Sequence, residues 1–338
     1  MRTERAANAR ARARLSAFTR SFLGGRGYEE VETPCLVPAP GMEPHIAAFE
    51  APFVSDRGRR RPLWLHSSPE YAMKRLLADG WPRVFQLARV FRNGEVSATH
   101  NPEFTMLELY RAGTDYRGIM EDLEALVEAA ARALAPGGAA RARRGSREID
   151  LAAPFERLTV ADAFRRHAGV ELAPCLGDAE ALRRAARAAG HDPGPGGEPF
   201  DDVFFRVMLD AVEPRLGLER PTYLLDWPAS MAALSRVKQD DPRWAERFEL
   251  YAGGLELANG FTELDDAAEQ RRRLLEEQEL RRRLGRPVYP LDEAFLAAVD
   301  RLPDAGGVAV GFDRLLMLLT GAEAIEDVLL FPARDFLG

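Results

Sequence analysis

No apolar run in this sequence approaches the roughly 20 residues needed to cross a bilayer. The first 14 residues are rich in alanine and arginine and lack the apolar core of a signal peptide. Neither insertion nor export is indicated, and the expectation is a cytoplasmic protein with no membrane partner. Only two cysteines occur, Cys35 and Cys175, far apart and without a CxxC partner. A disulfide framework and a zinc site are therefore not expected. No GxxxxGK[ST] is present, so nucleotide binding would have to proceed without a P-loop. Positive charge is also short, with 46 Lys and Arg against 53 Asp and Glu for a net charge of −7. A protein whose main task is gripping a polyanion carries the opposite sign, because phosphate neutralisation dominates nucleic-acid affinity. Local basic clusters at 57–61 and 141–147 read as solvated loops, with docking as the alternative.

What is present is a soluble-type composition, 46% hydrophobic and 29% charged over 338 residues, enough for one large or two ordinary domains. Leu15, Phe18 and Phe22 at helical spacing predict a helix over 4–23, ended by Gly24, Gly25 and Gly27. Residues 28–33 read as a strand stopped by Pro34. Ser68-Pro69-Glu70 predicts a helix start, with Ser68 as N-cap, proline in the first turn and Gly80 beyond the end. Residues 84–91 and 104–111 read as strands, 121–134 as an amphipathic helix, and 135–146 and 191–199 as loops. Helical patterns at 159–167 and 178–189 look like an insertion on the core. Residues 248–251 and 255–259 predict a hairpin around Gly253-Gly254. A charged helix over 265–284, a short strand over 307–311 and a helix from 312 to about 320 follow. Strands broken by helices without a regular βαβ rhythm predict an α+β fold around an antiparallel sheet flanked by helices.

Three segments carry chemistry. The two-residue period of a strand puts Phe104, Met106, Glu108 and Tyr110 on one face and Thr105, Leu107 and Leu109 on the other. The first face offers an aromatic plane, a carboxylate and a phenol, as a pocket for a flat base and a cationic side chain needs. The competing reading is a sheet edge with a wet face. Glu249 and Glu256 fall on the polar faces of the predicted hairpin, with Glu263 beyond. Paired across it, Glu249 and Glu256 could hold Mg²⁺, which favours one or two carboxylates plus substrate phosphates; a solvated hairpin face is the alternative. In Gly307-Val308-Ala309-Val310-Gly311-Phe312-Asp313-Arg314, a glycine-bounded strand runs into a helix and sets Arg314 near its N-terminus. Anions are favoured there, and the arginine fork suits phosphate oxygens.

Together these segments resemble the class II aminoacyl-tRNA synthetases. Residues 28–34 are similar to motif 1, 91–110 to motif 2, and 307–314 to motif 3. HNPEFTMLELY and ELANGFTEL are similar to lysyl-tRNA synthetases in particular. Motif 1 begins near residue 28, leaving room for a single helix and none for an anticodon-binding barrel. That form resembles the elongation factor P–(R)-β-lysine ligases, and Ala309 agrees, since those ligases carry alanine where the synthetases carry a third glycine. One departure is Gly94, where the family usually has glutamate after Arg-Asn, with Glu95 following.

The resemblance implies a single catalytic domain over 1–338, with a helical insertion at about 150–217. It implies ATP and Mg²⁺ as cofactors and activation of (R)-β-lysine or lysine as an adenylate, followed by transfer to a lysine ε-amine of elongation factor P. It implies ATP contacts from Arg92, Asn93, Glu95, Asn101, Phe104, Glu249, Leu250, Gly311 and Arg314, with adenine between Phe104 and Arg314 and Arg92 on the α-phosphate. Arg92 and Arg314 are the expected catalytic residues, and Glu249 and Glu256 the expected metal ligands. Ser68, Pro69, Glu70, Glu108, Tyr110, Glu256, Glu263 and Ala309 are the expected amino-acid contacts. Glu108, Tyr110 and Glu263 would take the distal ammonium, and Glu70 or Glu256 the nearer amine. A homodimer through the region around Pro34 is implied, and tRNA binding is not expected. The rival readings are a truncated lysyl-tRNA synthetase, amide formation on a free amino acid, and an inactive regulatory paralogue.

Overall fold

The computed structural model describes residues 3–135 and 137–337. At its centre lies an eight-stranded sheet. In chain order the strands are β1 (Glu29–Glu30), β2 (Arg83–Phe91), β3 (Glu103–Ala112), β4 (Glu156–Thr159), β5 (Thr222–Pro228), β6 (Trp244–Ala252), β7 (Leu255–Thr262) and β8 (Ala305–Gly311). Their spatial order is β1-β2-β3-β8-β7-β6-β5-β4. The central strands from β2 to β5 are antiparallel to their neighbours, while the edge pairs β1–β2 and β4–β5 are parallel. The last strand, β8, is inserted between β3 and β7. The strand of HNPEFTMLELY and the strand of Glu256 therefore flank the same glycine-rich strand.

Alternation along each strand divides the sheet into two faces. Leu107, Leu109, Phe248, Leu250, Leu257, Val308 and Val310 pack in one core with α1 (Thr3–Gly25), α3 (Tyr116–Leu134) and α8 (Phe312–Thr320). Each such fully buried side chain contributes roughly 1.5–3 kcal/mol. With these residues committed to the core, Phe104, Met106, Glu108 and Tyr110 turn to the other face. A one-residue slip in register would exchange the two sets, so the apolar core fixes which side chains line the cleft.

After β4 the chain forms a helical layer. Thr159 and Asp178 cap its first helices by accepting from the N–H groups of Asp162 and Ala181. The layer includes α4 (Ala179–Ala188) and α5 (Phe200–Val207), whose Leu182, Val203 and Phe204 join Phe164 and Trp227 in a separate core. Over the polar face of the sheet lie α2 (Glu70–Ala78), α6 (Ala267–Arg283) and α7 (Glu293–Val299). No helix among the described residues is long and apolar enough to cross a membrane.

Several expected elements differ. The 28–33 strand shortens to Glu29–Glu30, with one further bond from Val31 N to Phe85 O, because Thr33 and Pro34 leave the ladder. Part of the expected 135–146 loop is a hairpin of Arg141–Arg144 with Arg147–Asp150, closed by Gly145-Ser146 with Gly145 at φ 56°. The two-residue turn with glycine in the left-handed region was the missed signal. Ser68 is not the formal cap of α2, since Pro69 takes that place. Its hydroxyl nevertheless accepts from Glu70 N at 3.0 Å and donates to Glu108 at 2.5 Å.

Candidate active site

The polar face of the sheet forms the floor of a cleft of about 980 Å³, roofed by the 229–235 segment and α6. One end is acidic and closed. Glu108, 0% exposed, accepts from Ser68 Oγ at 2.5 Å and from Tyr110 Oη at 2.8 Å. Burial, with the nearby Glu70 charge, raises its pKa to about 8. Glu263 is also buried, and its Oε1 has no hydrogen-bond partner. Burial drives its pKa upward against the pull of Lys74.

Lys74 is the group that sequence reasoning missed. Its ammonium is buried and stands 2.5 Å from both Glu70 Oε1 and Glu263 Oε2, above the rings of Phe261 and Phe295. Desolvation works to lower its pKa, but Glu263 and Glu70 outweigh this and the net shift is upward. Glu70 and Glu263 are therefore not free carboxylates, as expected from the sequence, but are partly neutralised from within. The Glu70-Lys74 spacing of four on one helix was the available signal. With Glu108, Glu70 and Glu263 set around one ammonium, the closed end keeps more carboxyl groups than its built-in cation pairs, and a second ammonium would favour their ionised forms. Gly307 opens this space, since a Cβ there would collide with the Tyr110 ring and Glu263 Oε1. Ala309 lines the cleft between its register partners Glu108 and Asn259.

The other end carries arginines. Arg92 and Arg314 both line the cleft, with the Arg92 guanidinium 5.2 Å from the Phe104 ring centroid. Arg314 Nη1 donates to the Glu256 carbonyl at 2.9 Å, and Nη2 contacts His100 Nε2 at 2.7 Å. An arginine can only donate, so Nε2 accepts and Nδ1–H is left to donate to Ser97 Oγ at 2.7 Å. Burial and the Arg314 charge lower the His100 pKa, keeping the imidazole neutral for this role. His100 lay within the quoted motif, but its partner comes from the distant α8. Asp313, buried beside Arg314, accepts from Thr105 N at 2.6 Å and pairs with Arg12 of α1. This joins the second and third motifs to the first helix.

Glu249 and Glu256 both face the cleft side but are not cross-strand partners. A bulge between Leu250 and Tyr251 pairs Glu249 with Asn259 and Glu256 with Tyr251. Glu249 is held by Arg247 and by Tyr251 Oη, each at 2.6 Å. Burial raises its pKa despite Arg247, and Glu256 and Glu213 add to the rise. Glu249 and Glu256 supply the one or two carboxylates that a divalent cation beside phosphates takes. Among the described residues, no three His, Cys, Asp or Glu side chains form a metal site by themselves.

Other expected contacts sit elsewhere. The Leu250 side chain lies in the core on the opposite face, as alternation requires. Asn93 is exposed and its N–H is tied to Ala47 O, while Glu95 stands 3.9 Å from Arg92. Gly94 has φ 86°, a region where glutamate would be strained, so the family's carboxylate cannot stand there without cost. Asn101 lines the cleft, but its amide is engaged with Glu103 O at 2.6 Å and Ala333 N at 2.8 Å. Gly311 lines the cleft at the start of α8, and Pro69 sits at the start of α2 outside the main cleft.

Curated proteins from Salmonella paratyphi B and Salmonella schwarzengrund, each described as elongation factor P–(R)-beta-lysine ligase, are 40% identical to this chain over 323 residues. The match covers 95% of this chain and 93% of each relative. The family described as tRNA synthetases class II (D, K and N) matches residues 1–335, and the chain belongs to that family.

Proposed function

We propose that this protein is a ligase that activates (R)-β-lysine with ATP and transfers it to a lysine ε-amine of elongation factor P. The observation that carries the reading is one cleft lined by Ser68, Glu70, Tyr110 and Gly307, with Glu108 and Glu263 buried behind them, and by Arg92 and Arg314. A diamine needs acceptors for two ammonium groups, and an unpaired buried ammonium costs several kcal/mol. Glu108, Tyr110 and Glu263 form a receptor for the distal one. Ala309 narrows the cleft beside Glu108, next to the path of the substrate chain.

In this mechanism ATP is a substrate. A substrate carboxylate oxygen attacks the α-phosphorus, the bond to the bridging oxygen of the β-phosphate breaks, and pyrophosphate leaves. The lysine ε-amine of elongation factor P then attacks the carbonyl carbon of the adenylate, an amide forms, AMP departs, and the amine's proton is released. Arg92 bears the charge that develops on the α-phosphate, while Arg314, held by His100 and the Glu256 carbonyl, presents a fixed planar cation to the nucleotide. Phe104 supplies the opposing ring. Glu249 and Glu256 would hold Mg²⁺, which when bound neutralises phosphate charge. No covalent protein nucleophile is required, because positioning and charge stabilisation suffice for such chemistry. The same reading puts a homodimer contact around Pro34, where Pro34, Cys35 and Leu36 are exposed.

The test is mass spectrometry of purified elongation factor P incubated with enzyme, ATP and each lysine isomer. The expected result is one added β-lysyl group on one lysine. Transfer to tRNA instead, with elongation factor P unmodified, contradicts the proposal.

A further inference from the structure

Glu43 sits in an irregular segment between β1 and α2, ahead of the short strand Phe49–Glu50, and has no part in the chemistry above. It lines the main cleft together with Ser68 and Glu70. The same three residues line a second cavity of about 170 Å³ behind the start of α2, so Glu43 stands at the wall between them. Its Oε2 is buried and has no hydrogen-bond partner. Gly41 makes room for it: a Cβ there would overlap Oε2 and come within 3.1 Å of the carboxyl carbon. The loop is fixed from behind by Arg281, whose guanidinium donates to Glu43 O at 2.7 Å and Ile46 O at 2.9 Å and lies 4.2 Å from the Tyr289 ring centroid. A carboxylate is thus held in place without an ion pair at its inner oxygen.

Its neighbours sharpen the point. Glu70 already has the Lys74 ammonium at 2.5 Å, and Glu256 has Arg314 at 3.7 Å. Glu70 and Glu277 press on Glu43 with like charge, and Arg92 and Arg281 are the cations nearby. Burial, then Glu70, raises the Glu43 pKa. A buried acceptor without a partner is costly and is relieved by a ligand that brings a donor.

We propose that Glu43 is a further substrate-binding residue, an acceptor for the amino group of the substrate that lies nearer its reacting carboxylate. This rests on the functional reading above. Glu43 then separates a diamino acid from a compound carrying only the distal ammonium.

The experiment compares wild type with Glu43→Gln, using pyrophosphate exchange for (R)-β-lysine and inhibition of that exchange by 6-aminohexanoate. The inhibitor keeps the carboxylate and distal ammonium but lacks the inner amine. Loss of a charged hydrogen bond predicts a rise of about 10- to 100-fold in KM for β-lysine. The kcat and the 6-aminohexanoate inhibition constant should stay unchanged, which a general loosening of the loop would not allow. Gly41→Ala displaces the carboxylate without removing it and should raise the same KM. Equal weakening of both compounds in Glu43→Gln, or an effect on neither, overturns the assignment. Wild-type enzyme that exchanges with no lysine isomer overturns the functional reading, and Glu43's role with it.

Discussion

The two ends of the cleft solve opposite electrostatic problems. At the closed end, Glu70, Glu108 and Glu263 are withdrawn from water and share one built-in cation, Lys74. At the open end, Arg92 and Arg314 remain partly exposed and lean on Phe104, His100 and a backbone carbonyl. The first end is kept acidic at a cost in stability, because buried carboxylates without enough cation are poorly solvated. The second needs less of such a sacrifice, since a partly exposed guanidinium keeps some of its hydration. Substitutions at the closed end should therefore act on both folding and binding, and those at the open end on ATP binding and catalysis with folding unchanged.

The strongest test of that contrast is Lys74→Met. Removing the shared ammonium strips Glu70 and Glu263 of their ion-pair partner, and breaking a buried pair typically costs about 3–5 kcal/mol. Thermal denaturation at pH 7 should show a melting temperature lower by roughly 10 °C, on a scale of a few degrees per kcal/mol. An unchanged melting temperature at pH 7 contradicts the account.

Next in size is Arg92→Ala, which should lower kcat/KM in pyrophosphate exchange by about 10²–10³-fold, the scale for one lost transition-state donor. Its melting temperature should match wild type, and a large drop would erase the proposed distinction between the ends.

Glu108→Gln probes the closed end through pH. The folded pKa of Glu108, about 8, lies above its ordinary 4.5. The protonated form thus favours folding at low pH, and that stability is lost as pH rises through 8. Between pH 6 and 9 the unliganded wild type should lose stability, and the glutamine variant should lose less, by about 2–4 °C in melting temperature. Parallel pH curves would show that Glu108 is already ionised at pH 6.

The smallest effect is expected for His100→Ala. It removes a neutral acceptor from Arg314, a hydrogen bond worth about 0.5–1.5 kcal/mol, so KM for ATP should rise roughly 2- to 10-fold. A fall in kcat without a change in KM would assign His100 a different role.

Periodicity alone separated the leucine face of 104–110 from the face carrying Phe104, Glu108 and Tyr110, and the fold keeps that division because Leu107 and Leu109 are committed to the core. The helix start at Ser68-Pro69-Glu70 and the strand-to-helix passage at Gly311 were legible for the same local reason. Lys74 was not, because a lysine on an amphipathic helix reads as solvated until Glu263, from a strand far away in the chain, is brought against it. The offset between Glu249 and Glu256 was hidden too, since a bulge is a property of two strands in contact and not of either sequence. Gly94 could be seen as a departure, but its positive φ explains why a side chain is absent there.

The sequence by itself determined the family, the faces of the strands and the residue types at both ends, because side-chain alternation and motif spacing are local properties. Only the tertiary structure decided which charges meet. Inserting the last strand between β3 and β7 sets Arg314 beside Glu256 and opens the Gly307 gap beside Glu263, while α2 carries Lys74 against that same carboxylate. Coulombic pairing depends on distance through space, which spacing along the chain does not specify.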